Sequence, residues 1–149
     1  MKRIIGVIGY SDDKCKTDYA RKLVKEAIVE TMTALGWKPD LPLNKTPFTF
    51  SICSGLTNLG IPALAYEFAK KYEFQTIGVA CAKATEYECY PVDKEVIVGT
   101  EWGDESEEFL SQIDALVRIG GGPQSEREAE AWVGNGPYIY KPLTLEGKQ

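Results

Sequence analysis

Three glycine-bearing turns each follow an apolar run: Gly9-Tyr10-Ser11, Ser54-Gly55-Leu56-Thr57-Asn58-Leu59-Gly60, and Gly120-Gly121-Gly122-Pro123-Gln124-Ser125. Glycine lets backbone N–H groups come close to a phosphate, and a helix opening after such a turn adds the favourable end of its dipole. Two of the turns lead directly into helical segments, so together the three describe a cradle for phosphate and ribose. Taken singly, each is equally a tight strand-to-helix connection with no ligand. The first turn fits neither GxGxxG nor GxxxxGK[ST], and Lys14 lacks the flanking glycines of a P-loop. Ordinary dinucleotide-dehydrogenase and P-loop chemistries are therefore disfavoured.

The sequence contains no histidine. That removes Ser-His-Asp and Cys-His catalysis and every His-bearing zinc site. Cys15, Cys53, Cys81 and Cys89 form no CxxC pair, and without a His to activate them they read as reduced packing residues. Several side chains near the turns keep two readings. Tyr10 either stacks on a purine or is a surface aromatic. Arg118, in an apolar strand just before the triple glycine, is either a phosphate clamp or a rim residue with a snorkelling stem. Glu126, Glu128 and Glu130 offer carboxylates, Glu126 being placed to accept from a ribose hydroxyl. At a helix start, acids equally form a solvated face that suits the dipole. The run Glu101, Asp104, Glu105, Glu107 and Glu108 matches no calcium loop and reads as a charged helix start. Trp37, Trp102 and Trp132 fall near element ends and suit packing, with Trp102 on the ligand side of the strand before it.

The elements that must position these residues alternate between β runs and helical periods. Strands are expected over Arg3–Ile8, Phe48–Cys53, Gln75–Ala80, Glu95–Val98 and Ala115–Ile119, with an edge strand within Tyr138–Leu143. A helix over Thr17–Leu35 carries Ala20, Leu23, Val24, Ala27, Ile28, Met32 and Leu35 as one stripe. Thr17 or Asp18 caps its start and Gly36 follows its end. A second helix over Gly60–Tyr72 has Pro62 in its first turn, where a missing N–H costs nothing. A short acidic helix spans Asp104–Gln112, and a last one runs from Gln124 to before Gly134. Pro39 to Pro47 reads as a loop. This alternation is the mark of an α/β domain: a Rossmann-like open, mostly parallel sheet with helices on both faces. Ligands of such sheets bind outside the carboxyl ends of the strands, where the three turns fall.

With 149 residues, 44% hydrophobic and 26% charged, the chain suits one soluble domain over residues 1–149. Its net charge of −5 argues against nucleic acid or anionic membranes as partners. No apolar run nears the ~20 residues of a membrane span, and the glycine-broken start Met1–Gly9 reads as a strand, not a signal peptide. A cytoplasmic location is the expectation.

The strings IGVIGYS, SGLTNLGIPALAYEFA and IDALVRIGGGPQSEREAEA resemble the SLOG superfamily of Rossmann-like nucleotide-binding domains. That group includes LOG phosphoribohydrolases, DNA-processing A proteins and sensors of ADP-ribose-derived signals. The resemblance runs from Ile4 to about Ala131. It implies that Gly55, Asn58 and Gly60 line a phosphate or ribose site faced by Gly121, Gly122 and Ser125. LOG hydrolases carry P-G-G-x-G-T-x-x-E; here Ser125 and Glu128 match its Thr and Glu, while Gln124 replaces a glycine. The family's Arg ahead of the fifth strand has no basic counterpart in Gly103–Glu108. The expected function is thus noncovalent binding of a nucleotide-derived molecule of the ADP-ribose or cyclic ADP-ribose kind, for sensing, carrying or sequestering. The expected ligand set is Gly9, Tyr10, Ser11, Ser54, Gly55, Asn58, Gly60, Arg118, Gly120, Gly121, Gly122, Ser125 and Glu126, with no catalytic residue, cofactor or metal. A LOG-like hydrolase using Glu128 is the alternative, and an oligomeric scaffold without ligand the third. The resemblance also implies a homodimer or higher homo-oligomer, with Tyr66, Phe68 and Trp132 adding apolar area to its interface.

Overall fold

Alternating apolar residues on the strands sort onto two faces, and each face is covered by a pair of helices. The computed structural model of the chain describes residues 2–40 and 49–144. Of the loop expected over Pro39 to Pro47, only the residues up to 40 fall in that range, and Phe48 lies outside it. The strands are β1 (Lys2–Gly9), β2 (Thr49–Ser54), β3 (Gln75–Ala80), β4 (Lys94–Ile97), β5 (Ala115–Ile119) and β6 (Tyr138–Lys141). The helices are α1 (Asp18–Ala34), α2 (Gly60–Lys71), α3 (Ser106–Gln112) and α4 (Pro123–Trp132), with short 3-10 helices at Asp13–Cys15 and Ala82–Glu86. They form one six-stranded sheet in the order β4-β3-β2-β1-β5-β6. Every pairing is parallel, including the C-terminal edge strand β6 on β5.

Ile5, Val7, Phe50, Ile52, Val117 and Ile119 pack with α1 and α2 through Val24, Ala27, Ile28, Ile61, Leu64 and Ala65. The residues of opposite parity, Ile8, Cys53, Ile77, Val79 and Leu116, pack with Phe109, Ile113, Ala129 and Trp132. This period-two sorting is what a parallel sheet with helices on both faces requires. Gly6 permits the second contact: a Cβ there would stand 2.8 Å from Ile113 and 2.9 Å from Phe109.

The chain moves outward from β1 through β2 and β3 to β4, then returns to place β5 on the other side of β1. β1 and β5 are thus neighbours, with Gly9 opposite Ile119, yet their following helices lie on opposite faces. That divergence leaves a crevice at the carboxyl edge, the topological switch point of an open α/β sheet.

Local signals fix the ends of the elements. Thr17 caps α1 by accepting from the Ala20 N–H at 3.0 Å, and Gly36 follows it with φ 110°. Cys15, Cys53 and Cys81 are buried, and burial pushes the Cys53 thiol up to about 12, far from a usable nucleophile. Two side chains expected at an interface are spent on this chain's own core: Tyr66 is fully buried and Trp132 is 6% exposed. Phe68 is half-buried against the same core. Among the described residues no helix is long and apolar enough to cross a membrane.

Candidate functional site

The turns after β1, β2 and β5 meet at the carboxyl edge of the sheet and enclose a cleft of about 270 Å³. Gly9, Tyr10 and Ser11 line it from the first turn; Ser54, Gly55 and Thr57 from the second; Gly122, Gln124, Ser125 and Glu128 from α4. Trp102 and Glu105, from the segment ahead of α3, complete the wall.

Ser54 and Tyr66 brace the strand ends beneath the cleft. Ser54 Oγ donates to the Val7 carbonyl at 2.6 Å, tying β2 to β1. The Tyr66 hydroxyl accepts from the Ser54 N–H at 3.1 Å and lies 2.8 Å from the Gly55 carbonyl and 3.0 Å from that of Ile77. The Ser54 side chain and N–H therefore both hold the frame beneath the cleft.

Gly55 and Gly122 stand apart from the other glycines of the turns. Neither has a positive φ, and a Cβ on either would meet nothing within 4 Å. Backbone strain and protein packing thus give no reason for glycine at these positions, and both border the cleft. Gly122 is also the N-cap of α4, which no side chain caps. The first-turn N–H groups of that helix remain for solvent or for an occupant of the cleft.

The other expected residues, Asn58, Gly60, Arg118, Gly120, Gly121 and Glu126, do other work and do not line the cleft. Gly60 has φ 53°, and a Cβ there would overlap the Tyr10 carbonyl and stand 2.5 Å from the Asp12 nitrogen. It lets α2 close onto the first turn, where the Ile61 N–H donates to the Tyr10 carbonyl at 2.8 Å. Asn58 is taken up by Glu88: its backbone N–H donates to the Glu88 carbonyl and its side-chain amide to the carboxylate, both at 2.9 Å. Arg118 Nε donates to the Gly120 carbonyl at 2.8 Å, and its guanidinium lies 4.7 Å from the centre of the Tyr140 ring. Gly120 and Gly121 shape the turn, with φ 60° and 99°. The Ser125 hydroxyl occupies the space beside Gly121. Glu126 and Glu130 are exposed on the solvent face of α4.

Glu128 corrects the reading of these acids as one solvated face, because it turns inward and is 7% exposed. Its Oε2 accepts from Ser106 Oγ at 2.6 Å and from Gln124 Nε2 at 3.2 Å. The same Gln124 amide donates to Glu105 Oε2 at 3.2 Å, and Glu105 Oε1 accepts from the Gly103 N–H at 2.9 Å. Glu105, read from sequence as part of a charged helix start, is likewise buried. Burial raises the Glu128 pKa and the Glu105 charge adds to the rise; the Ser106 and Gln124 hydrogen bonds and Arg127 oppose it. The cleft wall thus carries two carboxylates and no lysine or arginine. Among the described residues, no three His, Cys, Asp or Glu side chains converge as a metal-ligand set.

Thr57, Gln124 and Glu105 carry no local signal in the sequence that marks them as site residues. Glu105 was visible only as one acid among five, and nothing local marks it as the one that folds under. Trp102 lies on the ligand side of the sheet, as its place after β4 implies, but its ring contact with Tyr87, at 5.9 Å between centroids, joins segments that sequence spacing does not connect.

No family model and no curated protein matches this sequence. Solved structures do share its fold. The molybdenum cofactor binding protein from the phototrophic bacterium Rippkaea orientalis superposes with a TM-score of 0.69 at 22% identity, covering 97% of this chain and 79% of that one. The Moco carrier protein from Chlamydomonas reinhardtii gives 0.64 at 22% identity, over 99% of this chain and 80% of that one. The structural genomics target TM1055 gives 0.61 at 15% identity, over 97% and 95%. At these identities the likeness establishes the fold alone, an open parallel α/β sheet with helices on both faces.

Proposed function

We propose that the chain binds a small phosphate-bearing organic molecule noncovalently in this cleft and carries it without turning it over. The observation that carries the reading is the pair of open glycines, Gly55 and Gly122, on the cleft wall. Where neither strain nor packing asks for glycine, bare backbone beside a cavity leaves room and N–H donors for a ligand. The molybdenum cofactor is the first candidate, supported by the neighbours of the same fold that bind or carry it. ADP-ribose-type nucleotides are the second, supported by the sequence resemblance. Native mass spectrometry of freshly purified protein tests the reading directly. A retained ligand adds its mass, and the released compound is chemically intact. If no mass is retained and no molybdenum cofactor or nucleotide raises the melting temperature, the reading fails.

A LOG-like hydrolase is the second reading, favoured by one observation. Glu128 presents in the cleft a buried carboxyl whose pKa is raised, as suits a general acid. Incubation with AMP and cytokinin-type nucleotides separates the two. Base release by wild type that is lost in Glu128→Gln promotes the hydrolase.

Association into a homo-oligomer belongs to the same proposal, but it must use side chains other than Tyr66 and Trp132. The groove between α1 and α2, with Val24, Leu64, Phe68 and Tyr72 on its floor and Arg21, Lys25, Glu67 and Lys71 at its rim, is the face we assign to it. Sedimentation at high protein concentration checks this, with a species heavier than 16.5 kDa expected.

A further inference from the structure

The charge of this chain is not spread evenly. Residues 82–114 hold ten acidic side chains and two basic ones, a net of −8 where the whole chain carries −5. The segment runs from the 3-10 helix after β3, through the edge strand β4, to the end of α3. Glu86, Glu88, Glu95 and Glu101 are exposed on it. Lys83 is taken up by Glu101 at 2.8 Å, while Glu86 and Glu95 form no ion pair with a described residue.

Apolar side chains stand in water at the same margin of the sheet. Trp102 is 48% exposed, Tyr87 is 55% exposed and Ile97 on β4 is 41% exposed. The Trp102 and Tyr87 rings lie against each other, with 5.9 Å between centroids at an interplanar angle of 46°. The Ala82 N–H donates to the Gly99 carbonyl at 3.0 Å, and with the Lys83–Glu101 ion pair it ties the turn that carries Trp102 to the 3-10 helix that leads to Tyr87. Large aromatics left in water forgo hydrophobic stabilisation, and here polar ties hold them in that position.

The backbone of this margin is open as well. Among the described residues β4 pairs with β3 alone. The Val98 N–H donates inward to the Ala80 carbonyl at 2.8 Å. Successive residues of a strand turn their peptide groups to opposite sides, so those of Ile97 and Glu95 point away from β3. Such an edge is a template for one more strand.

We infer that this margin is a docking surface for a second protein, which adds an extended, arginine-bearing segment to the β4 edge and lays a guanidinium on the Tyr87–Trp102 pair. Three features on one surface, an open edge, paired exposed aromatics and an excess of acid, fit that occupant together. Charge selects it: a second copy of this chain would bring the same excess of acid to the contact, and a basic segment neutralises it. Arginine fits better than lysine, because its planar head stacks on aromatic rings and takes a carboxylate in two parallel hydrogen bonds. The inference goes beyond the binding reading. Trp102 also lines the cleft, so on that reading the docked partner stands where the cargo is handed over.

The test is calorimetric titration of the full chain with short peptides in which valine alternates with arginine, lysine or glutamate. The arginine peptide should bind and change tryptophan emission. The lysine peptide should bind about fivefold or more weaker, on the order of one cation–π contact. The glutamate peptide should not bind. Trp102→Ala, at an exposed side chain, should weaken the arginine peptide by about fivefold. Ile97→Pro removes one outward N–H at an edge position of the kind that tolerates proline. It should weaken binding by about threefold to tenfold beyond Ile97→Ala, which removes the side chain alone. If Ile97→Pro fails to fold, the peptide series and Trp102→Ala carry the test. Equal binding of the arginine and lysine peptides, unchanged binding in Trp102→Ala, or no binding of the arginine peptide overturns the inference. A folded Ile97→Pro that binds as Ile97→Ala does overturns it too. Self-association abolished by Ile97→Pro also overturns it, since the occupant is then a second copy. None of these outcomes bears on the cleft; native mass spectrometry without peptide decides the binding reading by itself.

Discussion

Ser106 Oγ donates to the Glu128 carboxylate at 2.6 Å, and that bond joins the start of α3 to α4 across the wall of the cleft. It keeps an ionisable group under cover at a cost that shows as a raised pKa. For an acid whose folded value lies above the ordinary 4.5, the native state holds its proton longer than the unfolded chain does. The Glu128 contribution is then fully present at low pH and is lost as pH rises from 4.5 through the raised folded value. Denaturant melts over that window should show wild-type stability falling relative to Glu128→Gln, which has no proton to lose. Parallel profiles for the two proteins would contradict the burial argument.

The glycines of the turns should separate into two groups on substitution. Gly60→Ala places a Cβ in the left-handed region and against the Tyr10 carbonyl. Strain alone costs ~1–3 kcal/mol, and the backbone overlap adds to it. Gly55→Ala and Gly122→Ala meet nothing within 4 Å and have ordinary φ. Those two should fold with stability unchanged or raised by ~0.4–1 kcal/mol, through a less flexible unfolded chain. Thermal unfolding of the three variants checks the ordering. A loss at Gly122→Ala as large as at Gly60→Ala would mean that Gly122 serves the fold and not the cleft.

The same contrast marks how much the sequence discloses. The stripe from Ala20 to Leu35 and the alternation in β1 are local signals, so the elements and the parallel α/β plan follow from them. The cleft's position follows too, because strand ends in such a sheet converge. What each turn residue does is a long-range matter. Gly60 is glycine because of Tyr10, and Asn58 is oriented by Glu88, some 30 residues away. Glu128 differs from Glu126 and Glu130 because Ser106, 22 residues earlier, stands opposite it. In sequence all three acids look alike; only the packing of α3 beside α4 decides which one is covered.

Tyr66→Phe should test the brace beneath the cleft. The change keeps the ring, which packs 5.0 Å from Tyr90, and removes a hydroxyl that contacts three backbone groups of β2, β3 and the turn between. Leaving the buried Ser54 N–H and Ile77 carbonyl without this partner should cost ~1–3 kcal/mol. Because the Ser54 and Gly55 backbone would loosen, ligand affinity should drop along with stability. Retained affinity in a destabilised variant would separate the brace from the site.

Arg118 separates a phosphate clamp from a structural cation. Its Nε donates to the Gly120 carbonyl at 2.8 Å and its guanidinium stacks 4.7 Å from the Tyr140 ring. Both partners lie outside the cleft wall. The first fixes the carbonyl of a residue at φ 60°; the second ties β5 to the edge strand β6. Arg118→Met keeps the stem and removes both interactions. The loss should be ~2–3 kcal/mol, set by one charged hydrogen bond and a partly exposed cation–π contact. Binding of the ligand recovered by native mass spectrometry should keep its affinity and its dependence on salt, since no phosphate contact disappears. A clamp would behave in the opposite way: affinity would fall and the salt dependence would flatten as one charge left the site. Calorimetry at two salt concentrations on wild type and Arg118→Met distinguishes the two. A flattened salt dependence in the variant would return Arg118 to the ligand site.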